Sequence, residues 1–440
     1  MSAIPASPIV VPASKSRKPS SIGKVALASS VGTIIEWYDF LIYATAAALV
    51  FNKIFFPSID PLMGTMAALG SYAVGFIARP LGGAIFGHFG DRIGRKSMLM
   101  TSMLMMGAGT FLIGCLPDYS QIGVWAPILL ITLRFVQGIG LGGEWGGASL
   151  MVLEHAPAHR RGFYGSLVQV GFPLGLVLSS SVYGWVSKMP QQDFLAWGWR
   201  LPFLASAVLV IVGGFIRSRV EESPVFEQMK AKNLLARNPL MEAIFKHPKS
   251  FLVAIGLKIS EVSWVYMLTV FVIMYATTTL GLPKALLLKA ILVAALVELV
   301  TIPLFGWLSD KIGRRPFYLI GPVVSILMAF PLFWLLETRN EAVIVAAIAV
   351  ALSLGHGLMF APEATYFPEL FGANARYSGA SFGFQAAAAI GGGFSPLLAT
   401  WLTGITGGTA GVSLMMIGLS LVTLVAGLAA WETKDKALLA

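Results

Sequence analysis

The chain has 440 residues, 56% of them hydrophobic and only 12% charged, with a mean hydropathy of +0.78 and a formal charge of +10. A water-soluble fold this apolar would have too little polar surface to meet solvent, so the solvent must be lipid. The positive charge does not mark a nucleic-acid binder: 22 of the 31 Lys and Arg fall in segments on one side of the predicted spans and only four (Lys53, Lys188, Lys284, Arg339) in loops on the other, the asymmetry expected of cytoplasmic loops.

About 20 helical residues cross a hydrocarbon core of roughly 30 Å. The short alternating segments of a membrane barrel are absent, and hydrocarbon leaves helices as the other way to satisfy backbone groups. An all-α membrane protein is expected. The polar tail of residues 1–22 (Lys15, Arg17, Lys18) precedes a first span over about 24–51, too long for a signal-peptide core and so expected to be retained. That span holds Glu36 and Asp39, the latter about 22 Å into the helix and near mid-membrane.

The second span, about 62–88, buries Arg79, and the third, about 97–116, is uncharged packing. The fourth, about 123–153, carries RFVQGIGLGGEWGGA, whose Arg134, Gln137, Leu141, Glu144 and Ala148 share one face at 100° per residue. Its glycines let neighbouring helices approach closely. Spans over about 163–187 and 198–218 complete a first bundle of residues 23–218. A hydrophilic stretch, 219–249, follows as a cytoplasmic linker with some amphipathic helix. The second bundle, residues 250–430, has spans over about 250–280 (Lys258, Glu261), 286–308 (Lys289, Glu298), 316–336, 342–368, 377–403 and 409–430, and residues 431–440 form a cytoplasmic tail.

The two bundles are copies. GHFGDRIGRK at Gly87–Lys96 returns as GWLSDKIGRR at Gly306–Arg315, placing Asp91 and Asp310 219 residues apart. Two hinges with the same internal spacing, each between hydrophobic runs, indicate parallel six-helix repeats. The same subtraction takes Glu298 to Arg79 and Lys258 to Asp39, and Glu154 and Arg161 match Glu369 and Arg376 at the second charged turn of each half. Gly87, Asp91, Arg92, Gly94, Arg95, Glu154 and Arg161, with Asp310, Gly313, Arg314, Arg315, Glu369 and Arg376, are therefore expected to act as a gate that latches one conformation. Plain topology-setting charge is the alternative.

Ions at membrane depth normally face a cavity or a partner. Asp39 is drawn towards the neutral acid by desolvation and towards the anion by a nearby guanidinium. If Arg134 approaches and leaves during a cycle, Asp39 takes up and releases a proton; otherwise the two are a static salt bridge. Glu144 joins them as a coupling candidate. Arg79 and Arg134 suit bidentate carboxylate recognition. Gln137, Tyr38, Lys258, Glu261, Glu298 and Trp264 complete the candidate substrate site, although aromatics at helical spacing also serve as packing, and Lys258 and Glu261 can satisfy each other. Lys289 and Arg200 are expected to snorkel. His88, His155 and His159 read as solvated surface, and His356 as a core hydrogen bond. No metal set, nucleophile–base constellation or phosphate loop appears, so neither an enzyme nor an ATP-driven pump is expected. No cofactor is called for, and a monomer driven by the proton gradient is expected.

With IARPLGG, EWYDF, GGEWGGA, AWGWRLPF and RYSGA beside the twin hinges, the chain resembles the metabolite:proton symporter branch of the major facilitator superfamily, most of all its shikimate and α-ketoglutarate types, from Val31 to about Gly427. The resemblance implies twelve spans in two pseudo-symmetric six-helix bundles and alternating access in a bacterial inner membrane, with both termini cytoplasmic. It also implies one central site for a small organic acid, or for a zwitterion such as proline or betaine, and proton coupling through Asp39 and Arg134. No coiled coil follows Trp431, which disfavours an osmosensing role. The antiporter motif of span 5 is incomplete in GSLVQVGFPLG, which favours uptake.

Overall fold

The computed structural model describes residues 21–57, 61–232 and 237–438; the predicted basic tail with Lys15, Arg17 and Lys18 lies outside them. Twelve helical rods follow in order: α1 (Ile22–Ala46), α2 (Pro61–Ile93), α3 (Arg95–Cys115), α4 (Trp125–His155), α5 (Ala158–Val186), α6 (Gly198–Ser218), α7 (Pro248–Thr278), α8 (Lys284–Ile312), α9 (Arg315–Met328 with Pro331–Glu337), α10 (Glu341–Glu369), α11 (Ala373–Thr406) and α12 (Ala410–Ala429). Among the described residues ten are long and apolar enough to cross a membrane, and α9 makes an eleventh when its two segments, bent by 42°, count as one span. The remaining rod, α2, is 33 residues long, roughly 50 Å of helix.

Large apolar side chains such as Ile211, Val300 and Trp334 point outwards, as a surface that meets lipid tails requires. Polar side chains are drawn inwards. Within the first half α2 and α3 pack on α4, α1 on α5, and α3 on α6; in the second, α7 packs on α11 and α12, α8 on α10, and α9 on α12. The halves meet where α2 lies along α11 and where α5 lies along α8 and α10.

Glycine sets the closest approaches inside the first half. A methyl group on Gly82 would land on the Ile139 carbonyl, and one on Gly142 would land on the Arg79 carbonyl. The backbones of α2 and α4 are thus nearly in contact, the small-residue packing membrane helices use. The linker folds onto this scaffold through a helix at Pro224–Ala231, which buries Val225, Phe226 and Met229. One-residue helical bulges interrupt α7 at Met267–Phe271 and α10 at Ala351–His356. Such π turns re-aim the side chains that follow and recur at functional sites.

Candidate functional site

The two hinges close one end of the molecule. Asp91 accepts hydrogen bonds from the Ser378 hydroxyl (2.9 Å) and backbone N–H (3.0 Å) and from Tyr377 N–H (3.4 Å), at the start of α11 in the other half. Asp310 mirrors it, accepting from Gly162 N–H (2.7 Å) and Phe163 N–H (2.8 Å) at the start of α5. Each carboxylate sits on the positive end of a helix belonging to the opposite bundle. Arg95 joins Asp91 (3.3 Å) to Glu154 (3.5 Å), Arg314 joins Asp310 (3.0 Å) to Glu369 (3.5 Å), and Arg376 reaches Glu154 across the halves at 3.6 Å.

The hinge glycines have a backbone reason. Gly94 (φ 134°) and Gly313 (φ 103°) adopt a conformation that side chains disfavour, and each leaves room for a carboxylate. Glu222 of the linker accepts from Arg95 N–H (3.1 Å) and Lys96 N–H (3.2 Å); Glu432 accepts from Arg314 N–H (2.9 Å) and Arg315 N–H (3.1 Å). The residues after α12 run across this end, where Arg161 donates to Lys436 O (2.9 Å) and Arg376 to Leu438 O (2.8 Å). Gly87 backs onto the Ser378 Cα. Arg92 stays outside the lock and faces His88 at the surface, and Arg315 caps the end of α12 through Gly427 O (3.0 Å) and Leu428 O (2.8 Å).

Deeper in the first half, four side chains form a chain. Arg134 donates to Gln137 Oε1 (2.7 Å), Gln137 Nε2 to Thr110 Oγ1 (2.6 Å), and Thr110 Oγ1 to Asp39 Oδ2 (2.8 Å). Asp39 and Arg134 are fully buried, and no direct ion pair joins them. The Asp39 Oδ1 and the Arg134 Nε and Nη2 have no protein partner. Arg79 on α2 is also buried and, among the described residues, has neither a hydrogen bond nor an ion pair. Aromatic faces hold both cations: Arg79 lies 4.4 Å from the Phe40 ring centre and 5.0 Å from Phe76, while Arg134 lies 4.1 Å from Tyr43, 5.1 Å from Phe40 and 5.2 Å from Tyr72. Cation–π contacts in a desolvated setting contribute about 2 kcal/mol, but they leave the guanidinium N–H donors available to an anion.

The second half answers with carboxylates. The Lys258 ammonium pairs with Glu261 and with Glu363 (3.0 Å) and lies 4.0 Å from the Phe384 ring centre. His356, at the end of the π turn in α10, lies between Glu261 and Glu298, one on each ring nitrogen at 2.8 Å. Gln169 of α5 bridges the halves, donating to Phe360 O (3.0 Å) and Glu363 Oε2 (3.4 Å) and accepting from Trp145 Nε1 (3.0 Å). Phe172 covers the His356 ring at 5.6 Å, and Trp37 backs Phe172 at 4.7 Å.

The described geometry has counterparts of known kind. Residues 29–389 match the family model described as Major Facilitator Superfamily. The chain belongs to the major facilitator superfamily. It is 47% identical over 382 residues to the shikimate transporter of Escherichia coli (strain K12), covering 86% of this chain and 87% of that one. It is 40% identical to an inner membrane metabolite transport protein of the same organism (95% and 96% covered) and 35% identical to the proline/betaine transporter of Salmonella typhimurium (94% and 84%). Among solved structures it superposes on the proton:xylose symporter XylE bound to 6-bromo-6-deoxy-D-glucose with a TM-score of 0.73 at 18% identity, covering 95% of this chain and 97% of that one. The chain is therefore a multi-span membrane transporter and not an enzyme.

Within that fold, Arg79, Arg134, Gln137 and Asp39 come together in the first bundle, and Lys258, Glu261 and Glu298 in the second. Other predicted residues go elsewhere. Tyr38 turns to α6, its hydroxyl donating to Pro202 O (2.8 Å), because neighbours on a helix point 100° apart. The Trp264 indole donates to Ser420 of α12 (3.4 Å), and Glu144 pairs with Arg217 and Ser102 rather than with Asp39. Lys289 meets Glu341 at the surface (2.6 Å). Sequence reasoning left out Thr110, Gln169, Arg217 and Glu363. Glu363 was findable, since subtracting 219 gives Glu144, and His356 likewise maps to Gln137.

Proposed function

We propose that this transporter imports a small organic acid, shikimate or a related mono- or dicarboxylate, together with protons, by alternating access between its two bundles. The observation that carries the reading is the pair Arg79 and Arg134. Two buried guanidinium groups address one aromatic face and neither is held in a direct ion pair by a protein carboxylate, so a solute carboxylate can engage them through bidentate hydrogen bonds. The similarity to a shikimate transporter supports the same class. Asp39, one oxygen on Thr110 and the other unpartnered, is the proton carrier of the first half, and the Gln137–Thr110 link couples its charge to Arg134.

In this reading the hinge end faces the cytoplasm, where most Lys and Arg collect. The locked hinges then describe a state shut on that side, in a protein that works as a monomer in a bacterial inner membrane. Uptake of labelled shikimate into proteoliposomes should rise with an inward proton gradient and fall with an uncoupler; accumulation indifferent to the gradient would overturn the proton coupling. A second reading, a zwitterion such as proline or betaine, draws on the carboxylates Glu261, Glu298 and Glu363, which could face a cationic group. Competition among shikimate, α-ketoglutarate, citrate and betaine separates the two.

A further inference from the structure

We propose that Glu261, His356 and Glu298 form a second proton-binding site, in the second bundle and separate from Asp39. It deepens the proton-coupled reading above, but it stands on a count of hydrogens that geometry imposes. His356 Nδ1 lies 2.8 Å from Glu298 Oε1, and Nε2 lies 2.8 Å from Glu261 Oε1. A neutral imidazole has one N–H and one bare nitrogen, so one of these contacts would set a lone pair against an anionic oxygen at hydrogen-bond distance. Each gap therefore contains a hydrogen. The ring is an imidazolium between two carboxylates, or it is neutral and one carboxyl group donates to its bare nitrogen. Either way the trio holds one proton more than two carboxylates and a neutral ring.

The surroundings fit a proton that is held and then exchanged. Glu261 also pairs with Lys258 on its own helix, and Lys258 pairs with Glu363 of α10. The Tyr266 and Tyr318 hydroxyls and Glu298 Oε2 are buried without partners, and Glu36 of α1 stands across the interface with an unpartnered Oε2. Loss of the proton would leave Glu261, Glu298 and Glu363 with a single ammonium in a pocket closed to water. The lid over that pocket comes from both halves: Phe360 stacks on the ring at 4.5 Å, while Phe172 at 5.6 Å and Gln169, bonded to Glu363, belong to the first bundle. Separation of α5 from α8 and α10 would strip Phe172 and Gln169 away, so the movement that opens the solute site also exposes the trio. In the first bundle the places of His356 and Glu298 are held by Gln137 and Arg79, so the imidazole–carboxylate pair has no copy there.

The test needs no solute. In lipid nanodiscs, with His88, His155, His159 and His247 replaced by Gln, nitrogen NMR of the remaining His356 at pH 7 should show two protonated ring nitrogens. Alternatively it should show one bare nitrogen together with a carboxylic-acid infrared band that is lost in Glu261→Gln or Glu298→Gln. A bare nitrogen with no such band would overturn the proposal. If the fourfold variant misfolds, pH titration of the unmodified protein against His356→Gln gives the same answer: the unmodified protein should bind one more proton, and equal counts would sink the site. Because no transport is measured, a failure here is distinguishable from a failure of the symport reading.

Discussion

Arg79 and Arg134 address the same ring. The Phe40 centre lies 4.4 Å from one guanidinium carbon and 5.1 Å from the other, although the two residues stand on different helices. Neither cation is in a direct ion pair, so on the proposed reading a solute carboxylate would relieve the repulsion between them.

Arg79→Gln and Arg134→Gln should each weaken binding of shikimate-like acids. A hydrogen bond to a charged group contributes about 1.5–3 kcal/mol, or roughly 10- to 100-fold in affinity. Arg79→Lys should recover part of the loss, since it keeps charge but not the fork. Calorimetry with shikimate and its methyl ester is the check. Equal affinities for acid and ester in the unmodified protein would remove the anion site.

Asp39→Asn should retain solute exchange across the membrane while losing uphill accumulation, because the amide takes no proton. Counterflow and gradient-driven uptake, measured side by side in proteoliposomes, give the comparison. Undiminished accumulation would exclude Asp39 from coupling.

Asp91→Ala and Asp310→Ala each remove the hydrogen bonds that fasten a hinge to the helix start opposite. Loss of about 1.5–3 kcal/mol should shift the balance towards a state open at the hinge end by roughly tenfold or more. Spin-label distances between the hinge ends of α2 and α11 would lengthen in the variants; identical distributions would contradict the lock.

Gly142→Ala should destabilise the fold by about 1–3 kcal/mol, the typical cost of overpacking, because its methyl group meets the Arg79 carbonyl. Gly418→Ala, on α12 with nothing within 4 Å, should leave the melting temperature unchanged or slightly raised. Similar losses in both would show that close helix contact is not the reason for Gly142.

The architecture was legible because lipid imposes simple rules: apolar runs, one-sided positive charge and a hinge repeated after 219 residues place the helices. Charged residues at membrane depth were legible too, and Asp39, Arg79, Arg134, Lys258, Glu261 and Glu298 all lie inside. Their partners were less so. Thr110 is one hydroxyl among several in a predicted span without charge, and only its distance to Asp39 marks it. Arg217 looks like a span-end anchor, yet it turns inwards to Glu144. Tyr38 and Trp264 flank charged positions in sequence, but rotation about the helix and the reach of a long ring send them to α6 and α12.

The near-touching backbones of α2 and α4 have a consequence for selectivity. Gly82 and Gly142 leave no slack between the helix that carries Arg79 and the helix that carries Arg134, so under the proposed alternating access the two cations would keep their spacing while the bundles rock. They would then act as a fixed gauge, measuring the width and charge of the proposed solute against a ruler that the transport stroke does not bend.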